Sequence, residues 1–299
     1  MAIYNDALLL EESFEDDLIF ATEEFFSDND PVVSFLENCN RVSIDVLTES
    51  EETLGEKFKN AKAKVVAGIQ RAVEAVKKKI GEFIEWVQDN VFSARYKMVK
   101  KRAESCLNKI SYGNISNPFF EKNVVEYYDP EKVFSTISKS YSDFKDNMKK
   151  AMKQIAKDEE KFMSNVENFF PDTFKKKIVS YREAAAYLKD VIINDTLVKQ
   201  CREMLKDAKE MLKVLDASLT ALKRDKENRE ENAGQIAVIR TSCTYMSKII
   251  TGYNKLINDM FHTTKVICKA CDKNAKDIKS VNKMGKKLSK SEQNAIDTY

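Results

Sequence analysis

The sequence predicts an all-α fold, namely an elongated antiparallel bundle of long amphipathic helices with at most two short strands. The chain of 299 residues contains only 7 Gly and 4 Pro, so few turns interrupt it. Apolar residues recur at steps of three and four along most of the chain, which is the period of one helix face. Hydrophobic residues make up 43% of the chain, which is enough for a packed core.

Charge divides the chain near residue 52. Residues 1–52 contain fifteen acidic side chains and one basic side chain, Arg41, which gives a net charge of −14. The other 247 residues contain 49 basic and 33 acidic side chains, a net charge of +16. We therefore predict three parts: an acidic N-terminal segment over 1–52, a basic long-helix bundle over 53–272 and a Lys-rich, mobile tail over 273–299.

Within the acidic segment, residues 5–26 combine acids with apolar residues at helical spacing. This pattern predicts an acidic amphipathic helix, which Asp28–Pro31 ends, because the residue before proline avoids the helical region. Residues 42–47 alternate between apolar and polar, which fits either a short strand or the start of a helix.

The basic body begins with the most regular pattern in the chain. From Leu54 to Val91 the apolar residues follow steps of three or four, which predicts one helix of 38 residues. Helical character resumes through Ile110, and a loop follows over 111–118. Residues 124–128 fit a brief strand that could pair with 42–47, although two strands alone are marginally stable.

Three further long helices are predicted. Asp129 and Pro130 form a helix start, since Asp caps free N–H groups and proline suits the first helical position, and this helix ends at Pro171. The next helix begins at Asp172 and has a kink or break at 194–196. The polar tract 223–232 then forms the turn into the last helix. Long helices joined by short breaks are expected to pack as an antiparallel bundle.

The residue types needed for most catalytic mechanisms are scarce. The chain has one histidine, His262, and it lacks a glycine-rich phosphate loop, a His-Glu-x-x-His motif and a nucleophile elbow. Carboxylates on different helices could still converge, but di-iron bundles need Glu-x-x-His on two helices. We therefore expect a non-enzymatic protein with no catalytic or metal site, no cofactor and no small-molecule substrate.

The six cysteines show no disulfide framework spacing, and we interpret them as reduced core residues. Cys268 and Cys271 form a Cys-x-x-Cys pair, which His262 could complete as a three-ligand metal site. No second pair follows, and two residues at i and i+3 on a helix simply share a face. The sequence therefore favours two packed thiols over a metal or redox site.

Lysine clusters on the basic body predict binding to a polyanion. Lys and Arg neutralise phosphates, which gives salt-sensitive binding without sequence preference. Lys-rich and Glu-rich faces are also usual on long helices, but a net charge of +16 exceeds what such faces need. An anionic membrane surface is the less favoured partner, because no strongly apolar, Trp-rich wedge accompanies the lysines. The candidate polyanion-binding residues are Lys77, Lys78, Lys79, Lys97, Lys100, Lys101, Arg102, Lys175, Lys176, Lys177, Lys283, Lys286 and Lys287.

All four Leu-x-Glu triplets of the chain lie before residue 57, and Ser13-Phe14-Glu15 and Ser50-Glu51-Glu52 lie in the same region. With the charge division, this arrangement resembles the internal head proteins of large tailed bacteriophages. In that family a prohead protease cuts an acidic N-terminal targeting peptide after Leu-x-Glu or Ser-x-Glu, and a basic helical body stays with the DNA. The resemblance implies candidate cleavage after Glu11, Glu49 and Glu52.

The resemblance also implies a location and partners. It implies a structural virion protein, made in the host cytoplasm, that lies inside or is associated with the phage head. Its expected partners are other virion proteins or copies of itself, and double-stranded DNA bound without sequence preference. The alternative is a cytoplasmic helical-bundle adaptor or a scaffold on an anionic membrane surface. The acidic segment over 1–52 is a propeptide, a partner-binding arm or a segment folded against the basic body, and these three readings stay open.

Overall fold

The computed structural model describes residues 54–111, 124–151, 168–224 and 229–296. Of these residues 87% are helical, and the strands among them form one two-stranded antiparallel sheet, so the prediction of a mostly α fold is confirmed. The helices in these ranges include none that is long and apolar enough to cross a membrane. The predicted helix over 5–26 and the ambiguous segment 42–47 lie outside the described residues.

The described residues form regular helices and two strands. Two irregular helical segments accompany them, a 3₁₀ turn over Asp172–Phe174 and a π-helix over Leu188–Ile193. The regular elements are α1 (Leu54–Val91), α2 (Ala94–Ser111), β1 (Val125–Tyr128), α3 (Pro130–Ala151), β2 (Lys175–Ile178), α4 (Tyr181–Tyr187), α5 (Thr196–Arg224) and α6 (Arg229–Ile296).

The chain divides into two compact units, and each unit is assembled from three separate stretches. Unit 1 comprises the described residues up to Asp89, those of Pro130–Pro171 and those of Cys201–Asn258. Unit 2 comprises the described residues of Asn90–Asp129, Asp172–Gln200 and those from Asp259 onward. Each unit is described by itself below.

The regular apolar stripe of α1 forms one side of the core of unit 1. The helix has the predicted bounds, Leu54–Val91, so this prediction is confirmed. Burying one Val, Ile or Phe side chain stabilises the fold by roughly 1.5–3 kcal/mol relative to leaving it exposed. The stripe residues that are buried in unit 1 are Ile69, Val73, Val76, Ile80, Phe83 and Val87.

Ring contacts show that α3 and α6 run antiparallel in unit 1. Phe134, near the start of α3, lies with its ring centroid 6.2 Å from that of Tyr253 on α6. Ten residues further along α3, Phe144 stacks on Tyr245, with centroids 4.3 Å apart. Because the α3 partner moves forward as the α6 partner moves back, the two helices have opposite directions.

The remaining contacts complete a four-helix bundle in unit 1. On α1, Lys79 bonds to Ser247 and Phe83 stacks on Tyr253, so α1 and α6 run parallel. On α5, Asp207 bonds to that same Tyr253, whereas Asp216 pairs with Lys77, so α5 runs antiparallel to α1 and parallel to α3. Two helices therefore point each way, as in other bundles with long crossovers.

A strand replaces the predicted start of the third long helix. Asp172 begins only a 3₁₀ turn, and Lys175–Ile178 pairs antiparallel with β1, with Val125 opposite Ile178. The predicted strand over 124–128 is confirmed, but its partner is β2. A Lys-rich stretch has little strand propensity of its own, so cross-strand pairing and the burial of Ile178 override the local preference.

The helical register resumes after β2 and breaks once more before α5. Ser180 caps α4, because its side-chain Oγ accepts a hydrogen bond from the backbone N–H of Glu183 at 3.3 Å. The π-helix Leu188–Ile193 follows, and Asp195 then adopts a left-handed backbone with φ of 59°. Asp tolerates this conformation better than most residues. The predicted break at 194–196 is therefore confirmed.

Helix α6 is longer than the sequence predicted. It contains 68 residues and its backbone stays helical to Ile296, although the apolar stripe weakens after residue 272. Lys, Ala and Met are good helix formers, so local propensity supports this extension. The mobility of 273–299 stays a prediction.

The turn predicted over 223–232 is wrong at both ends, because 223–224 belong to α5 and 229–232 to α6, and residues 225–228 lie outside the described residues. The prediction that α3 continues to Pro171 is wrong for the described residues 168–171, which are not helical, and 152–167 lie outside the described residues.

Candidate functional site

The Lys77–Lys79 cluster lies on α1, and its members already have partners in unit 1. The Nζ atom of Lys77 is 2.8 Å from a carboxylate oxygen of Asp216 and 3.7 Å from one of Glu74. The hydrogen bond to Asp216 is the main reason why the pKa of Lys77 is raised. Lys78 lies 3.6 Å from Glu82, but its side chain is 79% exposed, so this pair is weak.

Lys79 connects two helices of the bundle. Its Nζ atom donates hydrogen bonds to Ser247 Oγ at 2.9 Å and to Thr251 Oγ1 at 3.0 Å, both on α6. The two acceptors are four residues apart, so they present adjacent oxygens on one face. Lys79 is therefore held against the bundle by partners that a bound phosphate would have to replace.

The three candidate lysines of β2 each face a carboxylate within unit 2. Glu126 lies in β1, Asp129 directly follows β1 and Asp172 begins the 3₁₀ turn, so the small sheet is locally neutral. Lys175 also lies 5.7 Å above the ring of Tyr128. The pairs are Lys175 with Asp172 at 2.9 Å, Lys176 with Asp129 at 3.0 Å and Lys177 with Glu126 at 3.1 Å.

Two of the candidate cations on α2 are held by carboxylates of unit 2. Lys100 Nζ lies 2.8 Å from Asp195, the residue with the left-handed backbone, and so attaches α2 to the start of α5. Arg102 Nη2 lies 3.5 Å from Asp272 on α6. Nearby, the hydroxyl of Tyr96 donates to the carbonyl oxygen of Ile192 at 3.0 Å. This side of α2 therefore serves packing.

The opposite side of α2 presents exposed cations that no carboxylate of the described residues neutralises. Lys97 and Lys101 are exposed and lie four residues apart, so they are neighbours on one face. Neither has an acidic partner among the residues that the structure describes. Met98 lies beside them and is 47% exposed. We call Lys97, Met98 and Lys101 the α2 face.

The side chains of the other predicted site residues lie outside the described part of the structure. Lys283, Lys286 and Lys287 lie on the helical backbone of α6, where the side chains beyond residue 272 are outside the description. The candidate processing residues Glu11, Glu49 and Glu52 lie outside the described residues altogether. They stay predictions.

A polar cluster in unit 1 surrounds the half-buried carboxylate of Asp207. The hydroxyl of Tyr253 donates to Asp207 Oδ2 at 2.6 Å, and Ser138 Oγ lies 3.4 Å from the same hydroxyl. Burial raises the pKa of Asp207, and burial also raises that of Tyr253. Raised carboxylate pKa values occur at catalytic sites as well as in structural networks. Here the carboxylate is hydrogen-bonded to a core tyrosine and ties α5 to α6.

Three thiols meet in unit 2. Cys268 and Cys271 are buried on α6, as expected for packed thiols, whereas His262 is exposed, so the three candidate metal ligands do not converge. Cys106 of α2, which the sequence did not connect with this pair, lies within hydrogen-bonding reach of both. Within the described ranges, no group of three His, Cys, Asp or Glu side chains could hold a metal ion. We call Cys106, Cys268 and Cys271 the thiol cluster.

No family model, no curated protein and no solved structure matches the chain. Function is therefore argued from the residues themselves. The relevant features are the helical bundle, the lysines with and without carboxylate partners among the described residues, and the division of charge along the chain.

Proposed function

We propose that the protein is a non-enzymatic structural component of a virion, inside or associated with the phage head, that contacts double-stranded DNA without sequence preference. The observation that carries the DNA contact is the exposure of Lys97 and Lys101 on the α2 face, without carboxylate partners among the described residues. The resemblance of the N-terminal segment to phage targeting peptides supports the location. Other virion proteins or further copies of the chain are the proposed protein partners.

The α2 face suits phosphate binding better than the other described clusters. Lys97 and Lys101 lie about 6 Å apart along the helix axis, at 1.5 Å per residue, and their long stems can adjust to separate phosphates. The lysines of β2 would instead have to give up carboxylates at 2.9–3.1 Å first. Lysine is a point charge without a fixed hydrogen-bonding plane, so such a contact positions DNA and reads no bases.

The test measures binding of the full chain to a random-sequence DNA duplex at several salt concentrations. We expect the logarithm of the affinity to fall linearly with the logarithm of salt concentration, because phosphate neutralisation releases counterions. The double variant Lys97→Gln and Lys101→Gln removes two phosphate contacts, so the slope should become shallower by about 1.8.

The matched control is the double variant Lys175→Gln and Lys177→Gln, which changes the net charge equally but removes lysines that are already paired. We expect this control to change the slope by less than half as much as the α2 variant. Equal effects of the two variants would show that only total charge matters. Absence of binding at low salt would refute the DNA contact.

A scaffold on an anionic membrane surface is the second candidate. The observation that favours it is Met98, an exposed apolar side chain between Lys97 and Lys101. Flotation with vesicles that contain phosphatidylserine tests it. If a membrane is the partner, the variant Met98→Gln floats less than the wild type, while its binding to DNA equals that of the wild type. If DNA is the partner, wild-type protein does not float with these vesicles at physiological salt.

A further inference from the structure

We propose that the thiol cluster is an oxidant-sensitive modification site at which Cys106 and Cys268 form a disulfide when the protein meets hydrogen peroxide. This inference does not depend on the proposed function. It rests on the meeting of three buried thiols from α2 and α6, each at most 3% exposed, in unit 2.

Ion pairs on both sides of Cys106 fix the register of α2 against α6. Arg102, four residues before Cys106, and Lys109, three residues after it, both bind the carboxylate of Asp272. Asp272 directly follows Cys271 in the sequence. The two cations therefore hold Cys106 opposite the segment of α6 that carries the other two thiols.

Geometry decides which thiols can pair. Cys268 and Cys271 are three residues apart on one helix, where Cβ atoms lie about 5–6 Å apart. A disulfide needs Cβ atoms at about 3.5–4.5 Å, so a bridge within α6 would distort the helix. Cys106 approaches from another helix and is free of this restriction. The bridge therefore joins α2 to α6.

Cys268 lies four residues before Asp272 and shares its face of α6, which is the face that Arg102 and Lys109 contact, so we expect Cys268 to react first. The hydrogen bond from Cys106 lowers the pKa of Cys268, and the charges of Arg102 and Lys109 lower it further, against the opposing effects of burial and of the Asp272 carboxylate. The pKa of Cys106 is raised, because its proton is shared with the neighbouring sulfurs. Thiolate, not thiol, is the nucleophile towards peroxide. Cys268 is therefore oxidised first and Cys106 resolves it.

The reaction proceeds in two balanced steps. The Cys268 thiolate attacks one oxygen of hydrogen peroxide, the O–O bond breaks, and a sulfenic acid forms as hydroxide leaves and takes up a proton to give water. The Cys106 sulfur then attacks the Cys268 sulfur, the S–O bond breaks, and the proton of Cys106 leaves with the hydroxide as a second water. The two thiols lose two electrons, and the peroxide gains them.

Two buried cysteines of unit 1 provide internal controls. Cys201 and Cys243 are fully buried, and burial raises the pKa of both, to about 12 for Cys243. Neither has a thiol or a cation among the causes of its shift. They match the thiol cluster in burial but differ in electrostatics, so they should resist peroxide under conditions in which Cys268 reacts.

The experiment exposes the full chain to hydrogen peroxide under native conditions, blocks the remaining thiols by alkylation and maps the peptides by mass spectrometry. Cys39, which lies outside the described residues, is replaced by Cys39→Ser to remove its contribution. We expect one peptide pair that joins Cys106 to Cys268 and is two hydrogen atoms lighter than the two thiol peptides. A dithiol reductant should restore both thiols.

Two variants separate the roles within the thiol cluster. Cys268→Ser should abolish the bridge, whereas Cys271→Ser should leave it in place. A bridge between Cys106 and Cys271 in the unsubstituted cluster would overturn the assignment of Cys268. Oxidation of Cys201 and Cys243 to the same extent, or no bridge in folded protein, would overturn the proposal itself.

Discussion

At the residue scale, Gly252 allows two apolar side chains to approach α6 closely. A Cβ atom at this position would lie 2.9 Å from Phe169 Cδ2 and 3.2 Å from Ile137 Cδ1. Contacts this short force a neighbour to move, and both neighbours are buried in the core of unit 1. Gly81, in the interior of α1, has no described atom within 4 Å of the same position, so it is a natural comparison.

Alanine substitutions at these two glycines should therefore have opposite effects. Gly81→Ala should raise the free energy of unfolding by about 0.5–1 kcal/mol, because alanine costs less backbone entropy in a helix. Gly252→Ala makes the same gain but overpacks the core, which costs about 1–3 kcal/mol and gives a net loss. Urea unfolding followed by circular dichroism measures both. Equal stabilisation by the two variants would show that Phe169 and Ile137 relax freely.

The thiol cluster shows the limit of sequence reasoning for single residues. Cys268 and Cys271 were recognisable from their spacing, and their burial follows from the apolar face that they share. Cys106 lies 162 residues before Cys268, and nothing local distinguishes it from the other scattered cysteines. Only the packing of α2 on α6 brings it there, since spacing along the chain does not determine which helices meet.

At the element scale, α5 carries two carboxylates whose pKa values shift in opposite directions. Burial raises the pKa of Asp207, whereas the hydrogen bond with Lys145, whose Nζ lies 2.9 Å away, lowers that of Glu210. The two residues are one turn apart. Their shifts therefore predict two distinct regions in the pH dependence of stability.

Asp207→Asn should remove a loss of stability that occurs as pH rises above 3.8, the ordinary pKa of Asp. In this window the folded protein holds more protons than the unfolded chain, so the free energy of unfolding falls with increasing pH. Asn keeps a carbonyl oxygen for the Tyr253 hydroxyl but does not ionise. Urea midpoints measured across this window should depend less on pH in the variant than in the wild type.

Glu210→Gln should remove the opposite pH dependence, namely a loss of stability as pH falls below 4.5, the ordinary pKa of Glu. There the folded protein holds fewer protons than the unfolded chain, so the wild type loses stability as pH falls through the lowered pKa. The variant should lack this loss. Urea midpoints measured at acidic pH test this. A variant that loses stability below pH 4.5 as much as the wild type does would contradict the role of Lys145. Because Glu210 is partly exposed, the effect should shrink as salt is added.

The elements differ in how far the sequence could predict them. Helix α1 was predictable to the residue, because apolar residues recur with a 3.6-residue period from Leu54 to Val91. Strand β2 was not, because Lys175–Ile178 has no alternation and its pairing partner lies about fifty residues away. The lysine clusters were visible as charge, but their partners were not. Thus the sequence alone shows Lys177 only as a cation, whereas the register of β1 on β2 places it opposite Glu126.

At the scale of the whole molecule, the proposed resemblance to phage internal head proteins predicts processing of the N-terminal segment. We expect protein from its natural particle to lack residues up to Glu11, Glu49 or Glu52, because the prohead protease of the resembled family cuts after such triplets. Intact mass and N-terminal sequencing measure this directly. Recombinant protein made without that protease is the control and should keep the segment. Particle-derived protein that retains residues 1–52 would refute the propeptide reading.

The assembly of each unit from three separate stretches has a consequence for biosynthesis. The four-helix bundle of unit 1 needs the part of α6 that ends at Asn258, and the contact between Lys79 and Ser247 spans 168 residues. A nascent chain therefore exposes the apolar stripe of α1 until most of the chain has left the ribosome. Long-range closure of this kind slows folding. We expect α1 to rely on chaperones during translation more than its regular sequence suggests.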